Sequence, residues 1–320
     1  MKILVTGGAG YIGGFMAQTL LDEGNEVIIA DSLERGHRET VDPRAKFLQG
    51  NLLEDSFVQS IFKDKFDAVI HFAGFISMGE SMENPVLYFN NNVFASLKIL
   101  EEMSKTGNDN FIFSSSAGVY GNPVKLPIPE DHPTNPENPY GESKLMVEKI
   151  MKWYGITKNL HTVALRYFNA AGASLDGKRG EEHKPESHII PNIIKALLEK
   201  REFNLFGNDY KTKDGTCVRD YIHVLDLAKA HLLAIKRLNE KPGNYIYNVG
   251  TGNGYSNKEV VEMVEKVSGE KVNIKFAQRR PGDADELIAD PSKIKSELDF
   301  SPKYSDLETI VSTAWKWHSK

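Results

Sequence analysis

Short apolar runs alternate with amphipathic stretches along the first 170 residues of this 320-residue chain. The runs are rich in β-branched residues, which is typical of strands that are buried on both faces. In chain order they read KILVT, EVIIAD, AKFLQG, DAVIHFA, NFIFSSS and HTVALRYFN. The intervening stretches, notably residues 11–23, 85–104 and 140–154, carry apolar residues at helical spacing. This alternation predicts an α/β fold with a parallel sheet covered by helices on both faces.

The alternation stops after Asn169, and the rest of the chain has a different pattern. Residues 171–190 and the segment GNDYKTKDGT are polar and contain glycine, and long loops of this kind are usually functional. The later pattern predicts a strand at YIYNV and helices from Pro191, from about Val224 to Leu238, and from Ser256 and Ser305, where SNKE and SDLE are capping boxes. We therefore expect one domain over residues 1–170 and a smaller α+β domain over residues 171–320, with some interleaving of segments.

The glycine-rich segment KILVTGGAGYIGG joins the first predicted strand to the first predicted helix. Gly7, Gly10 and Gly13 permit a tight turn and the close approach of a pyrophosphate to the helix N-terminus. Asp31 ends the second predicted strand about 20 residues further on, where a carboxylate accepts hydrogen bonds from ribose hydroxyls. The segment predicts a Rossmann-type, doubly wound domain that binds a dinucleotide. The negative charge of Asp31 would repel a 2′-phosphate, so NAD is expected rather than NADP.

The segment NPYGESK begins the predicted helix 140–154. Pro139 suits the first helical position, and Gly155 is expected to end the helix as its C-cap. Tyr140 and Lys144 are then i,i+4 neighbours on one face of the helix. A nearby ammonium group and the positively charged nicotinamide of NAD⁺ both favour the phenolate. Tyr140 is therefore a candidate general base for a substrate hydroxyl.

Three serines end the predicted strand NFIFSSS at its carboxyl end, where doubly wound folds place their active sites. A serine hydroxyl at this position can polarise the same substrate oxygen as the tyrosine. The pattern alone leaves Ser114, Ser115 and Ser116 open as candidates for this third group.

Composition narrows the possible partners and locations. The net charge is −5 and no long basic block occurs, so we expect no nucleic-acid or membrane partner. Cys217 is the only cysteine, which excludes an intrachain disulfide and suggests a small buried side chain in a reducing compartment. The N-terminal apolar run is too short for a secretion signal, and no run of ~20 apolar residues could span a membrane, so we expect a cytoplasmic protein. The nine histidines show no HxxxH pattern and no His/Cys cluster, so no metal site is expected.

The motifs TGGAGYIG, HFAG, NNV, SSSAGVYG, PYGESK and RYFNAAG follow one another along the chain in this order. Together with GTCVRDYIHV and RRPGDAD, they resemble the NAD-dependent epimerase/dehydratase branch of the extended short-chain dehydrogenase/reductase family over nearly the whole chain. Within this branch they are most similar to enzymes that epimerise UDP-hexoses at C4. The resemblance implies an isomerase that interconverts UDP-galactose and UDP-glucose by transient oxidation at C4 with bound NAD, rotation of the 4-keto sugar and return of the hydride.

The resemblance also implies roles for individual residues. Tyr140 would be the base, Lys144 would lower its pKa and hold the nicotinamide ribose, and Ser116 would be the hydroxyl partner. The residues that would bind NAD are Gly7, Gly10, Tyr11, Ile12, Gly13, Asp31, Ser32, Asn51, Leu52, Phe72, Ala73, Asn92, Tyr140, Lys144 and Tyr167. The residues that would bind the UDP-sugar are Ser116, Asn169, His188, Phe206, Arg219, Arg280, Asp283 and Leu287. Two guanidinium groups suit a diphosphate, whereas ordinary ion pairing of these arginines with Asp220 and Asp283 is the alternative.

Three positions bear on cofactor retention and substrate range. Ile76 stands two residues after HFAG, where related enzymes often have a lysine that reaches the cofactor, so looser retention of NAD is expected. Asn51 stands where an aspartate often accepts from the adenine amino group, and an amide oxygen can still accept. Leu287 occupies a position that helps to form the wall of the sugar pocket in related enzymes. A bulky aromatic residue at this position restricts the substrates to hexoses, whereas a small residue also admits 2-acetamido sugars. Because leucine is intermediate in size, UDP-glucose and UDP-galactose are expected as main substrates, with slow turnover of UDP-N-acetylglucosamine.

Other enzymes of the same family are the nearest alternatives: nucleotide-sugar 4,6-dehydratases, UDP-glucuronate decarboxylase and UDP-N-acetylglucosamine 4-epimerase. Dehydratases usually carry an Asp-Glu pair directly after the active-site Ser or Thr, whereas Ala117 and Gly118 follow Ser116 here. A non-catalytic NAD-sensing binding protein is a remote alternative, because such proteins usually lose the tyrosine or the lysine. The family commonly forms a homodimer through two long helices, which here would lie near residues 85–104 and 140–154.

Overall fold

The computed structural model describes residues 1–280 and 283–320, so Pro281 and Gly282 of the RRPGDAD motif lie outside the described residues. The chain divides into two compact units whose segments interleave along the sequence. The first unit comprises Met1–Tyr120, Thr134–Arg166 and Ala228–Tyr247, and the second comprises Gly121–Pro133, Tyr167–Leu227 and Asn248–Lys320.

Strands and helices alternate along most of the chain. The strands are β1 (Lys2–Thr6), β2 (Glu26–Asp31), β3 (Lys46–Gln49), β4 (Ala68–His71), β5 (Asn110–Ser116), β6 (His161–Tyr167), β7 (Asn169–Ala171), β8 (Phe203–Phe206), β9 (Val218–His223), β10 (Asn244–Val249), β11 (Gly254–Ser256), β12 (Ile274–Ala277) and β13 (Glu286–Leu287). The α-helices are α1 (Tyr11–Asp22), α2 (Asp55–Ile61), α3 (Met78–Glu83), α4 (Pro85–Tyr88), α5 (Ala95–Thr106), α6 (Pro139–Lys158), α7 (Ile189–Leu198), α8 (Val224–Glu240), α9 (Asn257–Ser268), α10 (Ser292–Leu298) and α11 (Leu307–His318). None of the described helices is long and apolar enough to cross a lipid bilayer.

A seven-stranded sheet with the order β10-β6-β5-β4-β1-β2-β3 forms the centre of the first unit. β1 pairs in parallel with β2 on one side and with β4 on the other, and parallel pairs also join β2 to β3 and β4 to β5. The strand order therefore reverses at β1, which is the topological switch point of a doubly wound fold. The predicted α/β fold with a doubly wound parallel sheet is confirmed.

Helices bury the apolar strands of this sheet. Leu4, Ile28 and Val69 of the sheet belong to one buried cluster with Ile99 of α5 and Val147 of α6. Because these strands are covered by helices, their sequences read as continuous apolar runs rather than as alternating patterns.

Smaller sheets and three packed helices form the second unit. β9 pairs antiparallel with β11 and parallel with β7 and β13, whereas β8 and β12 form a separate parallel pair. Ile193 of α7, Val260 of α9 and Ile310 of α11 are fully buried in one cluster. This mixture is the α+β arrangement that the later part of the chain predicts.

The predicted end of the helix that begins at Pro139 is wrong. α6 continues past Gly155 to Lys158, and Asn159 forms its C-cap in the left-handed region. A Cβ at residue 155 would lie 2.4 Å from the side-chain nitrogen of Asn244. Glycine at this position therefore permits close packing and does not terminate the helix.

Of the two predicted capping boxes, the one at Ser256 forms and the one at Ser305 does not. Ser256 caps α9 together with Glu259, as predicted. Ser305 does not cap α11; the N-cap is Asp306, and the Ser305 hydroxyl donates instead to the Asp226 carboxylate at 2.6 Å. α7 likewise begins at Ile189, slightly before the predicted start. The local pattern assigns Ser305 to the start of the helix, but its hydroxyl binds Asp226, a residue distant in sequence.

Candidate active site

The turn between β1 and α1 brings backbone atoms close to its glycines. Gly7 has a φ of +73°, and a Cβ there would lie 2.6 Å from the backbone nitrogen of Ala73. A Cβ on Gly13 would lie 2.3 Å from the carbonyl oxygen of Gly7. Gly10 is the N-cap of α1, without a side-chain hydrogen bond, and the first turn of the helix contains no acidic residue. The positive end of the helix dipole is therefore not offset by a nearby carboxylate in that turn, which suits a pyrophosphate.

Asp31 lies at the carboxyl end of β2 and contacts this turn. Its carboxylate accepts from the backbone N–H of Ala9 at 3.0 Å and from that of Leu33 at 2.9 Å. Burial raises the pKa of the carboxyl, and the two backbone hydrogen bonds offset part of this shift. A carboxylate has about four acceptor sites, so Asp31 can still accept from the hydroxyls of a ribose.

The other residues predicted to bind NAD lie mainly after the strands of the same sheet. Asn51 and Leu52 follow β3, and Phe72 and Ala73 follow β4. Tyr11 and Ile12 begin α1, Ser32 directly follows β2, and Tyr167 ends β6. Ligands of doubly wound folds bind at the carboxyl ends of the strands, and this is where most of these residues are found.

Asn92 lies in a π-helical segment (Phe89–Phe94) that joins α4 to α5. Its amide forms a pair of hydrogen bonds with the backbone of Phe75, accepting from the N–H at 2.8 Å and donating to the carbonyl at 3.0 Å. The same amide donates to the Ser143 hydroxyl of α6 at 3.0 Å. Asn92 therefore fixes the segment after β4 relative to α6, and π-helical segments are frequent at functional sites.

Ser116, Tyr140 and Lys144 come together in the first unit. Ser116 ends β5, while Tyr140 and Lys144 lie in the first turns of α6, for which Asn138 is the N-cap. The Ser116 hydroxyl lies near enough to the Tyr140 phenol for hydrogen bonding to lower the pKa of the tyrosine. The Lys144 ammonium lies 5.8 Å from the centroid of the Tyr140 ring. A hydroxyl, a phenol and an ammonium group thus converge at the carboxyl end of a central strand.

The three serines that the sequence leaves open have different positions. Ser116 contacts Tyr140, whereas the Ser115 hydroxyl is hydrogen-bonded to the buried Glu148 carboxylate at 2.5 Å. Ser114 contributes its carbonyl oxygen, which accepts from the Lys144 ammonium at 2.8 Å. Of these three side chains, the structure brings that of Ser116 to the tyrosine.

Burial changes the pKa values of both α6 residues. It raises the pKa of Tyr140, and the hydrogen bond with Ser116 offsets part of that shift. It lowers the pKa of Lys144 to about 8. Two positive charges are predicted to favour the phenolate: the Lys144 ammonium, which lies 5.8 Å from the ring centroid, and the oxidised nicotinamide ring of NAD⁺.

A buried ion pair between Arg166 and Glu148 lies near the three residues Ser116, Tyr140 and Lys144, and it was not predicted from the sequence. Arg166 of β6 donates to both carboxylate oxygens of Glu148, at 2.9 and 2.6 Å, and to the Tyr120 hydroxyl at 2.8 Å. Glu148 lies one turn after Lys144 on α6. The pair joins α6 to β6, and the hydrogen bond from Ser115 adds β5. Buried charges require such pairing, but the sequence gives no signal of it, because burial is not visible in the local pattern.

In the second unit, three of the predicted sugar-nucleotide residues lie on adjacent strands. Asn169 begins β7, and its amide donates to the carbonyl of Asp220 at 3.0 Å. Arg219 of β9 and Leu287 of β13 are partners in the parallel register. The main chain therefore places these side chains in neighbouring strands of one sheet.

The ion pairing considered for Arg219 is present with one of the two aspartates. Its guanidinium group lies 3.5 Å from the Asp283 carboxylate and donates to two backbone carbonyls at 2.9 Å. Asp220 is fully buried and accepts instead from the backbone N–H groups of Thr251, Gly252 and Ala289. The carbonyl contacts hold the guanidinium group of Arg219 in a fixed orientation.

A cleft of about 270 Å³ opens in the second unit. Phe206, Arg280 and Asp283 line it, and the Arg280 guanidinium group lies over the Phe206 ring, 4.3 Å from its centroid. Asn192 and Asn204 also line the cleft and were not predicted, because an isolated asparagine carries no pattern. Their amides offer both donors and acceptors, which a polar heterocycle requires.

His188 is the N-cap of α7 and belongs to a charged cluster. Its Nδ1 contacts the Glu181 carboxylate, which also lies 3.0 Å from His183 Nδ1. Burial raises the pKa of Glu181, but the two imidazole groups outweigh this effect and hold it well below its ordinary range. Burial lowers the pKa of His183, but Glu181 and Glu186 outweigh it and raise that pKa to about 9.

Known proteins match the chain along nearly its whole length. The family model for GDP-mannose 4,6 dehydratase matches residues 4–313. A UDP-glucose 4-epimerase from Lactobacillus helveticus is 48% identical over 320 residues, which cover 99% of this chain and 97% of that protein. The crystal structure of UDP-glucose 4-epimerase from Brucella ovis in complex with NAD has a TM-score of 0.96 at 42% identity, covering 99% of this chain and 98% of that one. The UDP-glucose 4-epimerase of Bifidobacterium longum, in complex with NAD⁺ and UDP, has a TM-score of 0.94 at 37% identity, covering 100% and 98%.

Proposed function

The chain belongs to the UDP-glucose 4-epimerase family of extended short-chain dehydrogenases/reductases, and we propose that it interconverts UDP-galactose and UDP-glucose. The observation that carries the proposal is the contact of Ser116 with Tyr140, with the Lys144 ammonium 5.8 Å from the tyrosine ring. A base within hydrogen-bond reach of a sugar hydroxyl can take its proton, and a hydroxyl partner and a nearby cation assist this transfer.

In this proposal Tyr140 removes the proton from the sugar 4-hydroxyl, and Ser116 donates a hydrogen bond to the same oxygen. Lys144 holds the nicotinamide ribose and stabilises the phenolate by its charge. When bound, NAD would supply the hydride acceptor and donor for C4 of the sugar, and a rotation of the sugar between the two transfers would account for the inverted configuration. Tyr140 then returns the proton, so neither the tyrosine nor the cofactor is consumed.

The residues that would hold NAD fit the group. The glycine turn would be filled by any Cβ at Gly13, and Asp31 keeps acceptor sites for ribose hydroxyls. The proposed set is completed by Gly7, Gly10, Tyr11, Ile12, Ser32, Asn51, Leu52, Phe72, Ala73, Asn92, Tyr140, Lys144 and Tyr167. We assign cofactor binding to the domain proposed for residues 1–170 and nucleotide-sugar binding to that proposed for residues 171–320, with interleaved segments.

For the nucleotide we propose Asn169, His188, Phe206, Arg219, Arg280 and Asp283, with Leu287 beside the sugar. The location of Phe206, Arg280 and Asp283 in one cleft supports the assignment. The aromatic ring and the guanidinium group offer stacking and bidentate recognition of phosphate. The second unit would thus anchor the nucleotide while the chemistry depends on residues of the first.

A dehydratase activity is not favoured, although the matching family model bears that name. Ala117 and Gly118, which follow Ser116, form a 3₁₀ turn and carry neither the acid nor the base that elimination of water requires. Tyr140 and Lys144 are both present and close together, which argues against a binding protein that has lost the chemistry.

We further propose a cytoplasmic homodimer that pairs through the helices near residues 85–104 and 140–154. Large apolar side chains are exposed on both helical segments: Val86 and Phe94 on the first, and Trp153 on the second. Burial of such side chains against a second copy would stabilise a dimer. The single cysteine, Cys217, supports a reducing compartment.

The test is to incubate the purified protein with UDP-galactose, without added cofactor, and to separate the products. We expect UDP-glucose, approaching an equilibrium mixture from either direction. Release of a 4-keto-6-deoxy sugar would identify a dehydratase. No conversion, even with added NAD, would contradict the proposed activity.

A further inference from the structure

Four side chains of the second unit converge on one point: Glu181, His183, Glu186 and His188. None of the proton transfers proposed above uses this point of convergence. From this geometry we propose that the four residues form a structural site for a divalent transition metal ion of the Zn²⁺ class. The spacing E-x-H-x-x-E-x-H carries the four ligands within eight consecutive residues.

The distances among the four ligand atoms fit a small coordination sphere. Glu181 Oε1 lies 3.0 Å from His183 Nδ1 and contacts His188 Nδ1 directly. Glu186 Oε1 lies 3.7 Å from His183 Nδ1 and 4.0 Å from His188 Nδ1, and all four ligand atoms lie within 4.8 Å of one another. Ligands at the usual Zn²⁺ distances stand about 3.3 Å apart in a tetrahedron. The observed separations lie on both sides of this value, so small side-chain rotations suffice.

The chemistry of the donor set favours a transition metal. Two imidazoles with two carboxylates suit Zn²⁺ and its neighbours, whereas Mg²⁺ and Ca²⁺ prefer oxygen ligands throughout. The side chains of Glu181 and Glu186 are only 4% and 5% exposed, so their two negative charges are removed from solvent. With neutral imidazoles the four ligands carry a net charge of −2, which a divalent cation neutralises.

Neighbouring groups hold the ligands in place, as the partners around metal sites usually do. The Trp317 indole N–H of α11 donates to the carbonyl of Glu181 at 3.1 Å. Backbone N–H groups of Ser187 and His188 donate to Glu186 Oε1, at 2.9 and 3.1 Å. Asn192 of α7 donates to the carbonyl of His188 at 2.9 Å. The site is therefore attached to two helices of the second unit.

A metal at this position would organise a wall of the nucleotide cleft. The segment before α7, between β7 and Ile189, contains no helix or strand among the described residues, and metal ligation would fix its end. Glu186 lines the same cleft as Phe206 and Arg280. The ligation of His188 through Nδ1 leaves its Nε2 outside the metal cluster. This consequence for the nucleotide rests on the proposed function, whereas the metal site itself does not.

The test begins with metal binding and does not depend on enzymatic activity. The purified protein is stripped with a chelator, titrated with Zn²⁺ in competition with a chromophoric chelator, and titrated with Co²⁺ as a spectroscopic probe. We expect one equivalent per chain and the intense visible absorption of tetrahedral Co²⁺. His183→Gln should raise the Kd for Zn²⁺ at least about 100-fold, because even the loss of an outer partner costs about 10- to 100-fold.

His318→Gln is the matched control, since His318 of α11 is a nearby histidine outside the ligand set. It should leave the Kd for Zn²⁺ unchanged. Equal Zn²⁺ affinity in the wild type and in a folded His183→Gln or Glu181→Gln variant would overturn the proposal. So would a Co²⁺ spectrum without tetrahedral bands in the wild type, a measurement that needs no variant. Either result would mean that the four side chains form only an ion-paired cluster.

Kinetics then test the consequence for the nucleotide. Removal of the metal should raise KM for UDP-galactose several-fold and leave kcat nearly unchanged, because the chemistry depends on Tyr140. If the metal binds but its removal leaves KM unchanged, the metal site stands and its link to the nucleotide cleft is refuted. Absence of epimerase activity with tight Zn²⁺ binding would reject the proposed function and leave the metal site standing.

Discussion

Replacement of Gly13 by alanine tests whether the turn after β1 holds the cofactor. The added Cβ would lie 2.3 Å from the carbonyl oxygen of Gly7 and 2.9 Å from its carbonyl carbon, both of which are backbone atoms. A side chain could rotate away, but here the turn or the start of α1 must shift. Overpacking of this kind costs about 1–3 kcal/mol, which corresponds to a weakening of NAD binding of roughly fivefold to 150-fold.

At Gly13 the substitution tests the steric effect of the added Cβ without backbone strain. Gly7 has a positive φ, so a substitution there would add backbone strain to the steric clash, whereas Gly13 has no positive φ. Gly79→Ala is the matched control, because a Cβ there would meet no atom within 4 Å beyond its chain neighbours and the backbone of its own helix. Alanine should leave NAD binding unchanged at that position, and its higher helix propensity should stabilise α3 slightly.

The assay removes NAD from each protein, measures the Tm of the cofactor-free form, and then titrates NAD by the change in Tm or in fluorescence. Gly13→Ala should weaken NAD binding by the stated factor in protein that remains folded. If a folded Gly13→Ala variant binds NAD as tightly as Gly79→Ala does, the turn does not approach the pyrophosphate and the cofactor assignment for this segment fails.

The remaining predictions concern the base, the cofactor, the buried lysine and the sugar pocket. Tyr140→Phe should lower kcat by roughly 10²–10⁴-fold with UDP affinity nearly unchanged, and a variant that keeps more than about a third of the wild-type rate would contradict the base assignment. Because Ile76 cannot make the charged contact of a lysine, part of the purified protein should lack NAD, and added NAD, but not NADP, should stimulate it. Ile76→Lys should tighten retention by about tenfold to a hundredfold, whereas full occupancy of the wild type would mean that other contacts compensate. Burial lowers the folded-state pKa of Lys144 to about 8 from 10.5, so its charge costs folding free energy below pH 8 and this cost disappears as the pH rises to 10.5. Lys144→Met should therefore raise the free energy of unfolding of cofactor-free protein at pH 7 by about 1–3 kcal/mol, measured by urea unfolding, and should lose activity. Above pH 10.5 the variant should be no more stable than the wild type. An equal gain in the free energy of unfolding at both pH values would contradict the burial argument. Leu287→Tyr should remove slow turnover of UDP-N-acetylglucosamine and Leu287→Ala should raise it about tenfold or more, and comparable kcat/KM for both sugar classes in the wild type would show that Leu287 is not a gate.

Sequence pattern predicted the parts of the molecule that depend on local spacing. The strands of the large sheet are continuous apolar runs, and the cradle glycines lie at fixed offsets between β1 and α1. Tyr140 and Lys144 are one helical turn apart, so a helix that starts at Pro139 places them on one face. The roles of Ser116 and of the nucleotide residues came from the resemblance to a family and not from spacing.

Contacts between residues distant in sequence explain what the pattern missed. Ser305 has the local form of a helix cap, yet its hydroxyl bonds to Asp226, which lies 79 residues earlier. Arg166 and Glu148 are 18 residues apart, and Arg166 reaches Tyr120 over 46 residues. None of these pairings has a periodic signature.

The π-helical segment Phe89–Phe94 constrains how the length of the chain can vary in evolution. It accommodates one residue more than an α-helix would, and each residue of an α-helix turns the chain by about 100°. Deletion of a single residue there would restore α-helical winding and turn the side chains of the segment to other directions. Asn92 could then no longer face both Phe75 and Ser143. Substitutions at neighbouring surface positions leave the winding of the segment intact, so the number of residues in Phe89–Phe94 is as much a part of the site as the identity of Asn92.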